Sequence, residues 1–227
     1  MISATIESIR QATPTIKVLR ILPESKFSFK AGQWLDCYVD LTEGRNVVGY
    51  TLTSSPTEET LELAVRYSDS NPITLYIHKA AMPGDTLLID GGHGDTYFEK
   101  GMANNLVLIA GGIGITPIMS IIRYVADSVP ETHVKLLYSA RTSSELLYKQ
   151  EIDELSAKTS RIKPFYTVTR ESWLGRQGRI DELMIREAGL EAEALHYICG
   201  PKDMIQDVVG ILGRLGVRRK QMKYEVW

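Results

Sequence analysis

LVLIAGGIGITPIMSII, residues 106–122, decides how this chain is read. Five apolar residues, Leu106 through Ala110, end in Gly111, Gly112 and Gly114, and Thr116-Pro117 opens a second apolar run. The first run is short and bounded by glycine, the pattern of a strand buried on both faces of a parallel sheet. The glycines permit a sharp turn and leave its N–H groups uncovered by any Cβ. Thr116 suits an N-cap, and Pro117 suits the first helical position, where its missing N–H would have had no partner. A helix N-terminus under a bare glycine turn is an anion site that a pyrophosphate fits. One such unit decides little by itself, because most glycine turns are only turns.

Downstream of this stretch, buried-type strands alternate with amphipathic helices. Strands are expected over residues 133–138, 162–169, 195–199 and 222–227. Helices are expected over 143–155, capped by Ser143 or Ser144, over 179–187, and from Pro201 to Gly216. The alternation predicts a doubly wound parallel sheet of about five strands with ligands at its carboxyl ends. An ordinary dinucleotide fingerprint makes two further demands: a third glycine, and an acid ending the second strand to hold the adenine ribose. Pro117 stands where the glycine would be, and the second strand, LLYSAR, ends at Arg141. The simple NAD-dehydrogenase reading fails on its own test.

Upstream, short segments rich in β-branched and aromatic residues recur at 5–9, 15–22, 34–40, 49–53, 61–67 and 86–89, separated by turn residues. Several alternate in polarity, as in Leu61-Glu62-Leu63-Ala64-Val65-Arg66. Regular strands with turn signals between them predict a small antiparallel β-barrel or sandwich. Residues 71–80 break the pattern with helical spacing at Ile73, Tyr76, Ile77 and Ala80, which predicts one short helix. The polar, patternless stretch 99–105 is the expected linker. It divides the chain into a β domain, 1–100, and an α/β domain, 101–227.

Bulk composition excludes other classes. Apolar residues make up 44% and charged residues 24%, ordinary values for a globular chain. The net charge of −2 comes with no basic block, so no nucleic-acid partner is expected. No apolar run approaches the roughly 20 residues of a membrane span. The N-terminal residues resemble neither a signal nor a transit peptide, so the expected compartment is cytoplasmic. Cys37 and Cys199 are too few and too far apart for a zinc or iron–sulfur site, and His78, His93, His133 and His196 show no ligand spacing. No metal is expected.

The same departures that defeat the dehydrogenase reading fit another family. An antiparallel β domain containing Lys30-Ala31-Gly32-Gln33, a GGxGxTP loop, a late Cys199-Gly200-Pro201 and a terminal Tyr-Glu-Val-Trp resemble the ferredoxin–NADP reductase superfamily. Its members pair an FAD-binding barrel with a nicotinamide-binding α/β domain.

The resemblance implies roles for particular residues. Val48-Gly49-Tyr50-Thr51 stands at the family's Arg-x-Tyr-Ser/Thr motif: Tyr50 would pack on the isoalloxazine and Thr51 would hydrogen-bond flavin N5. Val48 replaces the arginine that neutralises the FAD pyrophosphate. Arg66, in Val65-Arg66-Tyr67, would supply that charge beside the flavin tail, and Arg45 would do so only if its loop bends. Ile73 and Thr74 open the barrel helix where the family has a glycine-serine phosphate element. Gly112, Ile113, Gly114, Thr116 and Pro117 would take the nicotinamide pyrophosphate, with Ile113 where a threonine is common. Cys199 would face nicotinamide C4, with Gly200, Pro201 and Met204 beside it. Glu225 resembles the family's carboxyl-terminal glutamate, and Trp227 would cover the flavin face that nicotinamide must reach.

Thr169-Arg170 resembles the pair that holds the 2′-phosphate of NADP, with Arg141 and Arg176 adding charge; this favours NADPH, although residues 173–180 also resemble NADH-using reductases. The implied activity is hydride transfer from NAD(P)H to flavin N5, with Thr51, Cys199, Glu225 and Trp227 at the reacting atoms. Electrons then leave for an external acceptor: a ferredoxin, another redox protein or a small molecule. Two alternatives stay open: a reductase that uses flavin as substrate, and an FAD-holding electron-transfer subunit of a larger complex.

Overall fold

The computed structural model describes residues 1–41, 44–189 and 191–226. Its first half is a six-stranded antiparallel sheet, built from β1 (Ile2–Gln11), β2 (Ile16–Pro23), β3 (Trp34–Leu41), β4 (Gly44–Thr51), β5 (Leu61–Arg66) and β6 (Thr86–His93). Spatial order is β4-β3-β6-β1-β2-β5, and an antiparallel bridge from Leu52 to Leu63 joins the two edges. The Thr53 N–H donates to the Glu62 carbonyl at 2.8 Å, reinforcing that closure. The sheet is a barrel, as its evenly spaced turn signals predict. Its single helix, α1 (Pro72–Lys79), is capped by Asn71, whose carboxamide oxygen accepts the Thr74 N–H at 3.0 Å. Inward residues such as Ile6, Leu19, Ile21, Leu35, Leu63 and Ile89 fill the interior together with Ile73 and Ile77 of α1.

The second half alternates β7 (Asn105–Gly111), α2 (Ile115–Ser128), β8 (His133–Ala140), α3 (Lys149–Lys158), β9 (Ile162–Val168), β10 (Arg176–Gln177), α4 (Glu182–Glu187), β11 (Leu195–Gly200), α5 (Lys202–Arg214) and β12 (Met222–Val226). The sheet is parallel, in the order β10-β9-β8-β7-β11-β12. Order reverses at β7, so the glycine turn ends the strand at the topological switch point, where open α/β sheets bind ligands. The β10 pair adds a short edge to the five strands expected. Thr167 of β9 holds that edge by donating its hydroxyl to the Arg176 and Gly178 carbonyls.

Three helix starts differ from expectation. Residues 143–155 do not form one helix: a single 3-10 turn, Ser143–Glu145, is followed by Leu146, Leu147 and a left-handed Tyr148, and α3 starts only at Lys149. The buried Leu146 and Leu147 draw the chain inward, and the Leu147 N–H donates to the Tyr138 hydroxyl at 3.1 Å. Thr116 is not an N-cap. Helix α2 begins at Ile115 after a 3-10 turn, and the Thr116 hydroxyl donates back to the Ile113 carbonyl at 3.0 Å. The helix expected from 179 begins at Glu182, because Asp181 caps it by accepting the Met184 N–H at 2.8 Å.

Barrel residues Ile16, Val18, Ala31, Ala64 and Phe98 share one apolar cluster with Ile115, Ile118, Met119 and Ile122 of the second half. Among the described residues no helix is long and apolar enough to cross a membrane.

Candidate active site

On the barrel, the expected flavin residues gather along β4, β5 and the start of α1. Tyr50 is half-buried, and its hydroxyl shares a 2.8 Å hydrogen bond with that of the buried Thr74, which ties β4 to α1. Burial raises the Tyr50 phenol well above its ordinary value, so it stays protonated. Thr51 is buried, and its hydroxyl makes no hydrogen bond among the described residues. Val48 packs on the barrel core, and Gly49 lies under the Trp34 ring, where a Cβ would come within 3.1 Å. Val65 and Ile73 are buried in the barrel interior. Arg66 is exposed with no acid beside it among the described residues, next to Tyr67, which meets His78 edge-on at 5.4 Å. Arg45, by contrast, is committed to Asp40 through two bonds of 2.9 and 3.1 Å. Of the two arginines weighed for a flavin phosphate, only Arg66 is uncommitted.

In the second half, the glycine turn is bare where it must be. Gly112 has φ +56°, and a Cβ placed there would meet nothing within 4 Å. Gly114 is its opposite: a Cβ would sit 2.4 Å from the Cys199 carbonyl oxygen, so only glycine lets the turn press on β11. Pro117 is buried in the first turn of α2, and Ile113 is half-buried against the core. The Met204 thioether lies over Gly111 and Gly200, with Pro201 alongside as the N-cap of α5.

Cys199 is buried and stands in register between Ala110 of β7 and Glu225 of β12. Burial raises the Glu225 carboxyl above its usual range, so it keeps a proton to higher pH than a surface glutamate. Trp227 lies outside the described residues. At the far side of the sheet, the ends of β8 and β9 are laced together. The Thr169 and Arg170 N–H groups donate to the Ala140 and Arg141 carbonyls at 3.0 and 2.9 Å. Arg141 and Arg170 are exposed there, and neither forms an ion pair among the described residues. Arg176 is different: Asp181 and Glu187 hold it at 2.8 and 2.5 Å, so it is not available to a phosphate.

These residues suit the groups expected of them. A bare turn at the helix N-terminus after β7, with uncommitted guanidiniums following β8 and β9 of the same sheet, accommodates a dinucleotide with a further phosphate. A half-exposed tyrosine ring, an unpartnered hydroxyl and a lone arginine suit a planar heterocycle with an anionic tail. Sequence reading missed Glu62, Arg123 and Tyr148, which meet between the halves. Nothing in the local pattern marks them, since the bonds that bring the three together, Arg123 and Tyr148 to Glu62, cross from one half to the other.

Comparison with known proteins identifies the family and the fold. A family model described as the oxidoreductase NAD-binding domain matches residues 108–210. The chain is similar to oxidoreductase NAD-binding domain-containing protein 1 of Homo sapiens, 34% identical over 95% of this chain and 76% of that one. It is also similar to ferredoxin–NADP reductase B of Sorangium cellulosum, 30% identical over 98% of this chain and 96% of that one. Its fold superposes on the flavohem-like FAD/NAD binding domain of nitric oxide dioxygenase from Vibrio cholerae with a TM-score of 0.88, covering 100% and 98% of the two chains at 23% identity.

Proposed function

Because the chain belongs to the ferredoxin–NADP reductase family of oxidoreductases, we propose that it is an FAD-dependent enzyme that takes a hydride from NADPH and passes electrons to an external acceptor. A ferredoxin, another redox protein or a small molecule would serve. The barrel, 1–100, would hold the flavin and 101–227 the nicotinamide. When bound, the flavin would supply the step from two-electron to one-electron chemistry.

The protein's part is to bind, orient and exclude water. Tyr50, kept protonated and tied to Thr74, would present its ring to the flavin, and the Thr51 hydroxyl would donate to N5. Val48, Gly49 and Tyr67, with the backbones of Val65 and Ile73, whose side chains are spent on the barrel core, would line the flavin's course, with Arg66 meeting its phosphates. Gly112, Ile113, Gly114 and Thr116 would cradle the nicotinamide pyrophosphate through backbone N–H groups, with Pro117 packed behind them in the first turn of α2. Thr169, Arg170 and Arg141 would meet the 2′-phosphate, which is why NADPH is preferred to NADH. Gly200, Pro201 and Met204 would floor the nicotinamide site. Cys199 would contact the ring at C4, Glu225 would hold a proton beside it, and Trp227 would shield the flavin face.

The observation that carries this reading is the open Gly112 turn in the same parallel sheet as the uncommitted Arg141 and Arg170. An absorbance spectrum of the FAD-loaded protein before and after anaerobic NADPH tests it; an unchanged spectrum would sink it. One observation favours a second reading. Val48 offers no charge and Arg45 is occupied by Asp40, which suits a reductase that releases flavin as product. Gel filtration decides: flavin that co-elutes supports the bound cofactor, and flavin left behind supports the substrate role.

A further inference from the structure

The two halves are joined by a buried polar node that belongs to neither set of cofactor residues. The Glu62 side chain on β5 is 7% exposed and that of Arg123 on α2 is 13% exposed, so the pair is removed from water. Charges persist in such a place only when partnered, and these are. One Glu62 carboxylate oxygen accepts from Arg123 Nη1, the Tyr148 hydroxyl and the Thr53 hydroxyl, each at 2.8 Å. Arg123 Nη1 also donates to the Thr53 carbonyl at 2.9 Å, while its Nε and Nη2 grip Glu151 of α3 at 2.7 and 2.8 Å. The guanidinium lies 4.9 Å from the centre of the Tyr148 ring. Beside it, the Ser120 hydroxyl of α2 donates to the Ser54 carbonyl at 2.8 Å. Burial alone would raise the Glu62 carboxyl, but Arg123, Tyr148 and Thr53 hold it below its usual range.

Place matters more than strength here. Thr53 is two residues beyond Thr51, and Arg123 lies on the helix that starts at the glycine turn. Arg123 follows Ile115 by about 12 Å of helix at the α-helical rise. Tyr148 has φ +63° and is the one non-glycine residue with positive φ among the described residues. An L-residue keeps that conformation only where its surroundings impose it, and its two hydroxyl contacts, to Glu62 and Thr53, are both made across to the barrel.

Resting on the hydride-transfer reading above, we propose that Glu62, Arg123 and Tyr148 are positioning residues that set the approach of nicotinamide C4 to flavin N5. The hydride, two electrons with one hydrogen nucleus, would pass from C4 to N5, leaving the oxidised nicotinamide cation and the reduced flavin. Nothing passes through the node. Its directional bonds fix the distance and angle between the Thr51 strand and the glycine turn, which an apolar contact alone would let slide.

The variant Tyr148→Phe keeps the ring and its volume and removes only the hydroxyl; Arg123→Lys keeps the charge and removes the fork. In the FAD-loaded protein, anaerobic stopped-flow mixing with NADPH should show the limiting rate of flavin reduction lowered about tenfold to a hundredfold, the scale of a 1 Å misplacement. The half-saturating NADPH concentration should be unchanged, and the flavin–nicotinamide charge-transfer absorbance weaker. In the flavin-free protein, spin labels on E59C and E154C should report a broader distance distribution in Tyr148→Phe. A lower melting temperature with wild-type limiting rate and wild-type distance distribution would overturn the proposal. A wild-type protein that neither NADPH nor NADH reduces would instead fail the hydride-transfer reading, and the proposal with it.

Discussion

Arg170 and Glu225 show how a side chain's role follows from what it lacks. Arg170 is exposed at a strand end beside Arg141, and neither forms an ion pair among the described residues. A charge-assisted bond to a 2′-phosphate is worth about 1.5–3 kcal/mol, roughly 10- to 100-fold in affinity. Arg170→Ala should therefore weaken NADPH binding by that factor and leave NADH binding unchanged, measured by titration of the loaded enzyme; an equal loss for both would remove Arg170 from the phosphate site. Glu225 is half-buried without an ion pair among the described residues, and burial raises its carboxyl. A group that binds its proton more tightly folded than unfolded favours folding at low pH, and that contribution is lost as pH rises through the folded value. Glu225→Gln should therefore melt higher than wild type at neutral pH, with the gap closing below the unfolded value of about pH 4.3. Thermal scans across pH check this. A constant gap would assign the effect to packing.

At the scale of elements, the β7–turn–α2 unit was legible in the sequence, while its details were not. A run of LVLIA bounded by glycine has no other comfortable home than a buried strand, and Gly112 and Gly114 announce the turn. The N-cap was misread, because Thr116 reaches the Ile113 carbonyl once a 3-10 turn has already started the helix. The two glycines differ in what they protect, which makes them a useful pair. Ala at Gly112 meets no atom, so it should cost only about 1 kcal/mol of backbone strain while its methyl enters the proposed pyrophosphate site. Ala at Gly114 collides with the Cys199 carbonyl and should cost about 1–3 kcal/mol. Denaturant melts and NADPH titrations should then show a mildly destabilised Gly112→Ala that has lost NADPH affinity, and a Gly114→Ala whose stability falls first. The reverse pattern would mean that the turn serves packing alone. The segment before α3 was illegible for a tertiary reason: Leu146 and Leu147 are claimed by the core, which no local helical pattern reveals.

Across the whole molecule, Glu62 is the clearest case of what one sequence hides. The alternation Leu61-Glu62-Leu63 places it on the outer face of the barrel, and that is where it points; the second half then covers that face. Barrel, parallel sheet and family resemblance could be read from turns, periodicity and four motifs in order. The contact between the halves could not, because it depends on pairs far apart in the chain, Glu62 with Arg123 and Thr53 with Tyr148. Removing one partner leaves a buried charge uncompensated, so Arg123→Ala should cost about 3–5 kcal/mol at neutral pH. The Glu62 carboxyl is held low in the folded state, so this contribution is present above the unfolded glutamate value and lost as pH falls through the folded one. Denaturation at pH 7 and at pH 3 should show a large loss that shrinks in acid; a loss independent of pH would make it a packing effect.

Whether these two halves bring a nicotinamide to a flavin is decided by anaerobic reduction of the FAD-loaded protein. Mixed with excess NADPH, the protein should lose its oxidised-flavin absorbance at a rate on the order of 10 s⁻¹, typical of enzymes, and more slowly with equal NADH. A flavin spectrum left unchanged by either nucleotide would mean that they do not.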